Sequence, residues 1–349
     1  MAGAPHEIPE AKGFRETLRP PASPILTRTI VLHPGALGDV LLAIPALRAL
    51  RAGAPSDELV LAAQPRIGKL LAALSVVDRA LDFDALGLHA LFTAHAPGEQ
   101  PRELLEGARV VSWFGSRDAG FARRLRSLAG ESVVASSVPA DGGTVWEHLH
   151  ASVATLSGAA ASAGAWREPI ALSDDIVVAG RRALDDSGWD GLRPLVILHP
   201  GAGGVAKRWP AEGFARLAEA VVDTFGGEVV VHEGPADRDA VASFRLRARV
   251  PVRTLVNPPL ETLAGAVHHA ALWVGNDSGV SHLAAALGVS TLVLFTAANL
   301  AWRPWATGAR VRVVGVDALA PSDVDAVIAD ACRLRRMREH AASAARVDR

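Results

Sequence analysis

The chain alternates short apolar, β-branched runs with longer stretches in which apolar residues recur at helical spacing. The runs predict strands and the stretches predict helices. Because strands joined by crossover helices lie parallel, the alternation predicts an α/β protein with doubly wound sheets. The predicted strands are 28–33, 58–64, 79–84, 109–115, 132–137, 195–199, 228–233, 252–256, 272–275, 291–296 and 311–316. The predicted helices of the first half are 39–51, 66–74, 118–128 and 144–156.

One phrase occurs twice, once in each half of the chain. Ile-Val-Leu-His-Pro-Gly-Ala begins at Ile30, and Val-Ile-Leu-His-Pro-Gly-Ala begins at Val196. Each copy predicts a strand, a tight loop and a helix. Ligands of open parallel sheets bind at the carboxyl ends of the strands, so two such loops facing each other predict one cleft that holds two reactants.

The pattern divides the chain into four segments. These are an N-terminal extension (1–28), a first Rossmann-like domain (29–172), a second Rossmann-like domain (173–320) and a C-terminal helix (321–349). Small residues over 157–166 predict a linker. The tail over 323–340 has apolar residues at helical spacing, and we expect this amphipathic helix to pack back across the first domain.

Composition limits the class of protein. The chain has 349 residues, of which 50% are hydrophobic and 21% charged, as in soluble globular proteins with two cores. Its net charge of −1 gives no reason to expect nucleic acid as a partner. Cys332 cannot form an internal disulfide, which fits a reducing cytoplasm. Neither a signal peptide nor a membrane span is predicted, so we expect a cytoplasmic protein, soluble or peripheral at the inner face of the membrane.

The first loop runs from Gly35 to Asp39, between a strand and a helix. Asp39 stands where a helix cap or first-turn acid belongs, and a structural cap explains it without any catalysis. The alternative is that Asp39 faces the cleft from the carboxyl end of a strand and acts as a general base. Spacing alone leaves both interpretations open.

The second loop, Gly201 to Pro210, is rich in glycine and contains Lys207. Glycines such as Gly203 let the backbone approach an anion closely, and the lysine adds a full positive charge. The loop is not a Walker A motif, because Lys207 is preceded by Ala206 and followed by Arg208. A solvated surface lysine is the alternative.

The third loop places Asp277, Ser278 and Gly279 between a strand and a helix that carries His282. The N–H groups of the first helical turn suit a diphosphate. A serine hydrolase is not predicted, because the Gly-x-Ser-x-Gly elbow is missing. A metal site is poorly supported by sequence motifs, and His282 alone is more typical of a packed helix residue.

Four collinear motifs together resemble glycosyltransferase family 9, the heptosyltransferases that transfer heptose from ADP-heptose in lipopolysaccharide core assembly. They span residues 29–300. The motifs are Pro34 to Leu41 with Pro45-Ala46-Leu47, His199 to Pro210, Gly234 to Asp237, and Asn276 to Gly279 with His282 to Ala285. The resemblance implies a GT-B fold of two Rossmann-like domains, with the acceptor on the first and the nucleotide sugar on the second. It implies an inverting transfer that needs no metal or other cofactor.

The resemblance also implies roles for individual residues. Asp39 would deprotonate the acceptor hydroxyl, and Lys207 would hold the donor diphosphate. Asp237 would meet the ribose, residues 257–260 would border the base, and the loop from Asp277 to Gly279, with Gly203 and His282, would bind the phosphates and sugar. The chain departs from the family at His33, where a basic residue is common, and at Ala202 and Gly203, where some members have hydroxyl residues. A phosphate contact at His33 would depend on its protonation.

Recognition of the acceptor is less defined in the sequence. The candidates to bind an acidic glycan or glycolipid, or anionic headgroups of the inner membrane, are Arg66 and Lys69 at the start of one predicted helix, Arg123 and Arg124 on another, and Gly38 in the first loop. Solvated helix faces explain the same charges. Two other functions remain open. The fold could use another nucleotide sugar or a protein or secondary-metabolite acceptor, or it could bind sugar nucleotides without catalysis.

Overall fold

The computed structural model describes residues 28–93, 98–158 and 166–347. Nearly all of the predicted N-terminal extension and most of the predicted linker lie outside these residues. The predicted boundary between residues 172 and 173 falls between the two sheets described below.

Two parallel sheets form the framework of the described residues. The first sheet has the order β3-β2-β1-β4-β5 and the second the order β11-β10-β9-β6-β7-β8. This arrangement confirms the predicted α/β, doubly wound class, and every predicted strand is present, three with the predicted bounds and the others with ends that differ by at most three residues. The strands are β1 Arg28–Leu32, β2 Glu58–Ala63, β3 Arg79–Asp82, β4 Arg109–Ser112, β5 Glu131–Val134, β6 Leu195–His199, β7 Glu228–Glu233, β8 Val252–Val256, β9 Leu272–Asn276, β10 Thr291–Phe295 and β11 Ala309–Val313.

Helices lie between the strands. They are α1 Leu37–Leu42, α2 Ile44–Gly53, α3 Pro65–Ala73, α4 Glu99–Leu105, α5 Ala119–Leu128, α6 Val145–Ser152, α7 Ala154–Ser157, α8 Asp174–Asp186, α9 Ala211–Phe225, α10 Arg238–Arg245, α11 Leu260–His268, α12 Gly279–Ala286 and α13 Pro321–Val347. None of them has both the length and the apolar character that a membrane-spanning helix requires.

The predicted helix over 39–51 is two helices, α1 and α2, separated at Ala43. Pro45 lies in the first turn of α2 and has no N–H to donate to the carbonyl of Leu41, four residues earlier. That carbonyl instead accepts a hydrogen bond from Nε1 of Trp305, at 2.8 Å. The break in the helix therefore supplies an anchoring point for a residue of the second half.

The repeated phrase forms the central strands β1 and β6. Ile30, Val31 and Leu32 are fully buried, as are Ile197 and Leu198. β1 pairs with β2 and β4, and β6 pairs with β7 and β9, so both strands have neighbours on either side. Each phrase therefore places its Pro-Gly loop at the middle of the carboxyl edge of its sheet.

The C-terminal helix α13 corrects one prediction. Its buried residues Val324, Val327 and Ala331 pack in the core of the second half, against α9, β9 and β10, rather than across the first domain. Asp330, which is 2% exposed, pairs with Arg310 and Arg312 of β11. The short connection from the end of β11 returns the chain to its own sheet, and α13 covers that sheet's apolar face.

Candidate functional site

The first and third sequence loops meet at two glycines. A Cβ added to Gly38 would lie 3.2 Å from Cδ2 of His282 and 3.5 Å from Cα of Gly279. A Cβ added to Gly279 would lie 2.7 Å from Cβ of Leu37 and 3.0 Å from the backbone nitrogen of Gly38. Only glycine allows backbones to approach this closely. The start of α1 in the first half thus contacts the start of α12 in the second.

Asp39 lies in the first turn of α1, beside this contact. Its Oδ2 accepts a hydrogen bond from the backbone N–H of Ala36 at 3.2 Å, as a helix cap does. Its Oδ1 accepts from the indole Nε1 of Trp302 in the second half, at 3.1 Å. The side chain is half-buried. The cap and a general base are therefore compatible, because each oxygen retains a second lone pair.

Lys207 and Asp277 form an ion pair, with Nζ 2.8 Å from Oδ2. Oδ2 also accepts from Asn299, and Oδ1 lies 3.6 Å from Nε2 of His282. Burial alone would raise the pKa of Asp277, but hydrogen bonds from His282 and Lys207, and their charges, lower it below its usual value. The sequence predicted that both residues face the donor, but it did not predict that they neutralise each other.

The N-terminus of α12 opens into a cavity. Ser278 caps the helix, since its hydroxyl accepts from the backbone N–H of Ser281. Ser278, Gly279 and Val280 all line the cavity, which has a volume of about 390 Å³. The positive end of a helix dipole and its first N–H groups therefore border a space that suits an anion.

Both halves of the chain line this cavity. Gln64 and Arg66 contribute from the first half, beside the 36–38 loop. The second half contributes three groups, at the glycine loop, at the turn after β7 and at the start of α11. These lining residues are His199, Ala202, Gly203, His232, Gly234, Pro235, Ala236, Asp237, Asn257, Pro258 and Leu260. The structure thus brings Gly203, Asp237 and most of the 257–260 segment to one cavity, whereas Lys207, Asp277 and His282 do not line it.

Asn276 fixes the glycine loop against β9. Its Oδ1 accepts from the backbone N–H of Trp209 at 3.0 Å, and its Nδ2 donates to the carbonyl of Pro200 at 2.8 Å. Asn276 is fully buried, so these bonds form in a poorly solvated region where unpaired groups are costly. The residue holds both ends of the loop that carries Lys207.

His33 provides no cation to the site. It is 2% exposed, its Nδ1 accepts from the backbone N–H of Gly35 at 3.3 Å, and its ring lies edge-on to Trp113. Burial lowers the pKa of His33 from 6.5 to about 4, despite the nearby charge of Asp39. The imidazole is therefore neutral at neutral pH.

The candidate acceptor residues divide into two groups. Arg66 is exposed and lines the cavity with the donor-side residues. Lys69, one turn later on α3, pairs with Glu261 of α11 at 3.1 Å and so connects the two halves. Arg123 and Arg124 lie on α5 and are not among the residues lining this cavity. Nε of Arg124 donates to the carbonyl of Leu91 at 2.7 Å.

Sequence reasoning missed Trp302 and His232. Trp302 contacts Asp39 although 263 positions separate them along the chain. His232 lies next to His199, with their Nδ1 atoms 3.1 Å apart. A possible signal for His232 was its place near the end of a predicted strand, as for His199. Nothing in the local sequence distinguishes Trp302 as a site residue.

Comparisons with known proteins agree with this geometry. A family model described as glycosyltransferase family 9 (heptosyltransferase) matches residues 173–323. Lipopolysaccharide heptosyltransferase 3 of Escherichia coli is 33% identical over 135 residues, which cover 36% of this chain and 37% of that protein. The match therefore spans little more than a third of the length of this curated relative.

Two solved structures are similar over most of the chain. A family 9 glycosyltransferase from Veillonella parvula superposes with a TM-score of 0.71 at 18% identity, over 89% of this chain and 97% of the other. The ADP-heptose lipopolysaccharide heptosyltransferase II of Escherichia coli gives a TM-score of 0.68 at 21% identity, over 90% and 100%. These similarities confirm the expected GT-B fold. Residues 173–323, which the family model matches, hold the glycine loop, Asp237 and the Asp277 loop.

Proposed function

We propose that the protein is an inverting glycosyltransferase that transfers heptose from ADP-heptose to a lipopolysaccharide core or related acceptor. One observation carries the proposal. The contact between Gly38 and the α12 N-terminus puts a carboxylate of the first half, Asp39, beside a cavity that presents anion-binding groups of the second half. A displacement reaction needs these two elements, a base for the incoming hydroxyl and a positive environment for the leaving group.

The donor half of the proposal rests on the cavity. Its volume, its glycine-rich wall and the α12 N-terminus suit a nucleoside diphosphate sugar. Lys207 does not line the cavity, but its partner Asp277 directly precedes Ser278, which does, and Lys207 is partly exposed. It can therefore exchange its contact with Asp277 for a phosphate oxygen. The similar Escherichia coli structure is named as an ADP-heptose enzyme, and this name supports the same donor here.

The transfer needs no covalent intermediate. Asp39 takes the proton of the acceptor hydroxyl while the oxygen of that hydroxyl forms a bond to the anomeric carbon of the donor. The bond from that carbon to the diphosphate oxygen breaks, and ADP leaves with the electron pair. Lys207 and the α12 N-terminus stabilise the charge that develops on ADP, so we propose that the step requires no metal ion.

The acceptor is the least constrained part of the proposal. Arg66 reaches the cavity from the first half, and a free cation there suits an acidic glycan or glycolipid. We propose that the protein is cytoplasmic. Because glycolipid acceptors lie in a membrane, we also propose peripheral contact with the inner face of that membrane.

The test is direct transfer by purified protein. The full chain is incubated with ADP-heptose and a heptose-deficient lipopolysaccharide, and the acceptor mass is measured. A mass gain of one heptose, with inverted configuration at the anomeric carbon, supports the proposal. A parallel panel of other nucleotide sugars and acceptors identifies a different substrate pair. Binding of ADP-heptose without turnover of any pair would indicate a non-catalytic sugar-nucleotide binding protein.

A further inference from the structure

Three side chains of the types that bind metal ions converge at the wall of the cavity between β6 and β7. His199 ends β6 and His232 lies next to the end of β7, so neighbouring parallel strands bring the two imidazoles together. Their Nδ1 atoms are 3.1 Å apart, and Nε2 of His199 is 4.0 Å from Oδ2 of Asp237. One ligand atom of each residue lies within 4.8 Å of those of the other two. We call these residues the His-His-Asp cluster.

The hydrogen-bond geometry of the two histidines leaves a lone pair available to a metal ion. A neutral imidazole offers a lone pair, which a metal needs and an imidazolium lacks. Two nitrogens at 3.1 Å share at most one proton between them, so at least one Nδ1 lone pair is present.

The surrounding structure holds the cluster in place. The backbone N–H of Gly234 donates to Oδ2 of Asp237 at 2.9 Å, which orients the carboxylate. A Cβ at Gly201 would lie 2.0 Å from Oδ1 of Asp237, so glycine leaves the room that this carboxylate occupies. Trp273 lies against both imidazoles, with ring centroids 5.9 and 6.1 Å away. Ligands oriented in this way resemble the supported ligands of protein metal sites.

We propose that His199, His232 and Asp237 bind a single divalent transition-metal ion of the Zn²⁺ type, with one coordination position open to the cavity. Two imidazoles and one carboxylate are a donor set for Zn²⁺ and its neighbours, whereas Mg²⁺ and Ca²⁺ prefer oxygen ligands. Metal–ligand bonds of about 2.1 Å place the ligand atoms of a four-coordinate ion about 3.4 Å apart, so binding would draw in the three atoms, which now lie within 4.8 Å of one another. Among the described residues, no other group of three such side chains lies close enough together to hold one metal ion.

The proposed metal site is separate from the groups that would stabilise the leaving diphosphate. Lys207 and the α12 N-terminus supply the positive charge in the proposed transfer, so the ion has no step in it. Arg208 donates to the carbonyl of Ala236, the residue before Asp237, so its charge lies near the cluster and opposes a bound cation. We therefore expect micromolar rather than tighter affinity.

The test is metal binding by the full-length protein after treatment with a chelator and dialysis. Titration with Zn²⁺ in a calorimeter is expected to show a micromolar site of one equivalent. Titration with Co²⁺ is expected to give the visible absorption bands of a four-coordinate ion with nitrogen and oxygen ligands. Mg²⁺ at the same concentration should not displace either ion.

Variants connect the binding to the cluster. His232→Gln should lower the Zn²⁺ affinity by about tenfold or more, and so should Asp237→Asn, which can still accept from Gly234. The matched control is His33→Gln. His33 is buried at the equivalent position of the first repeat, and its replacement should leave the Zn²⁺ affinity unchanged. Melting curves establish that each variant is folded.

Three results would overturn the proposal. They are the lack of a saturable Zn²⁺ site in the wild-type protein, Co²⁺ bands of a six-coordinate ion with oxygen ligands, or an equal loss of affinity in His33→Gln and His232→Gln. The wild-type Co²⁺ spectrum decides the matter even if a variant does not fold. None of these results depends on sugar transfer, so they leave the proposed function to its own test.

Discussion

Trp302 donates a hydrogen bond from its indole Nε1 to Oδ1 of Asp39 at 3.1 Å and thereby joins the two halves of the chain. Trp302 ends a 3₁₀ turn, Ala297–Trp302, that follows β10. Three residues later, Trp305 donates to the carbonyl of Leu41 on the same helix as Asp39. The orientation of the proposed base therefore depends on a segment of the second half of the chain.

Removing this bond should slow the reaction. Trp302→Phe keeps an aromatic ring but loses the donor to the carboxylate. The carboxylate of Asp39 then loses a group that fixes its orientation. We expect kcat to fall about threefold to tenfold, the scale of one hydrogen bond, while calorimetry shows unchanged ADP affinity.

Trp305→Phe is the matched control for this change. It removes a bond to a backbone carbonyl and not to the carboxylate, so the protein should melt at a lower temperature while kcat stays near the wild-type value. An unchanged kcat in Trp302→Phe would show that the indole only packs against α1.

Asp39→Asn should lower kcat by about 10²- to 10⁴-fold, the range for a positioned proton acceptor. Asn retains an acceptor for Ala36 or for Trp302 but not for both, so part of the loss in the single variant comes from misorientation. The double variant Asp39→Asn with Trp302→Phe removes that conflict. If single-turnover rates recover towards those of Trp302→Phe alone, Asp39 is a helix cap and not the base.

The sequence predicted the strands well because each is a compact apolar run with a turn at its end. The elements it missed depend on distant contacts. Pro45 is compatible both with the first turn of a new helix and with a kinked continuous one, and the donor that Trp305 supplies to the Leu41 carbonyl comes from the far end of the chain. The packing of α13 depended on which apolar face lay within reach of a short connection.

The site shows the same division between local and distant information. The glycine loop and the Asp277 loop are contiguous motifs, so their approach to one cavity could be predicted from the rule for carboxyl edges. The ion pair of Lys207 and Asp277 joins two loops that follow different strands. The His-His-Asp cluster likewise joins residues at the ends of two strands and in the turn after one of them. Nothing local specifies those distances, because sheet order and side-chain rotamers set them.

Lys207→Ala should weaken ADP binding by roughly 1.5 to 3 kcal/mol, the scale of a lost charge-assisted hydrogen bond. Two mechanisms give this result, since Lys207 could contact the diphosphate or only neutralise Asp277. The double variant Lys207→Ala with Asp277→Asn separates them. If affinity stays low in the double variant, Lys207 contacts the nucleotide. If calorimetry shows that affinity returns to the wild-type value, the lysine acts only through Asp277.

Replacing Arg123 and Arg124 with Ala should leave ADP affinity unchanged, because α5 does not line the cavity. If these arginines hold an acidic acceptor, the acceptor KM should rise and become less sensitive to salt, because a screened attraction has been removed. KM is measured at two ionic strengths. Equal losses of ADP affinity here and in Lys207→Ala would contradict the division of substrates between the two halves.

Transfer activity should survive EDTA, because Lys207 and the α12 N-terminus neutralise the leaving diphosphate. EDTA also removes an ion held by His199, His232 and Asp237, so retained activity would show that this ion is not required. The measurement compares initial rates before and after chelation. Complete loss of activity that Mg²⁺ or Mn²⁺ restores would mean that the cation at the diphosphate has been assigned wrongly.

His33 should make the folded protein sensitive to acid. Its pKa falls from 6.5 to about 4 on folding because burial disfavours the charged ring. A depressed pKa means that the unfolded chain binds the proton first, so stability is fully present above pH 6.5 and is lost as the pH falls towards 4. At a pH of about 4.5 this loss amounts to about 2.5 kcal/mol.

The variant His33→Gln tests this, because it keeps an acceptor for Gly35 and cannot titrate. The free energy of unfolding is measured in urea at pH 7.5 and 4.5 for both proteins. The decrease between the two pH values should be about 2.5 kcal/mol larger in the wild-type protein than in the variant. His199 and His232 titrate in both proteins and cancel in the comparison. Parallel losses in the two proteins would show that His33 gains a proton without cost, and thus that its ring is not held neutral by burial.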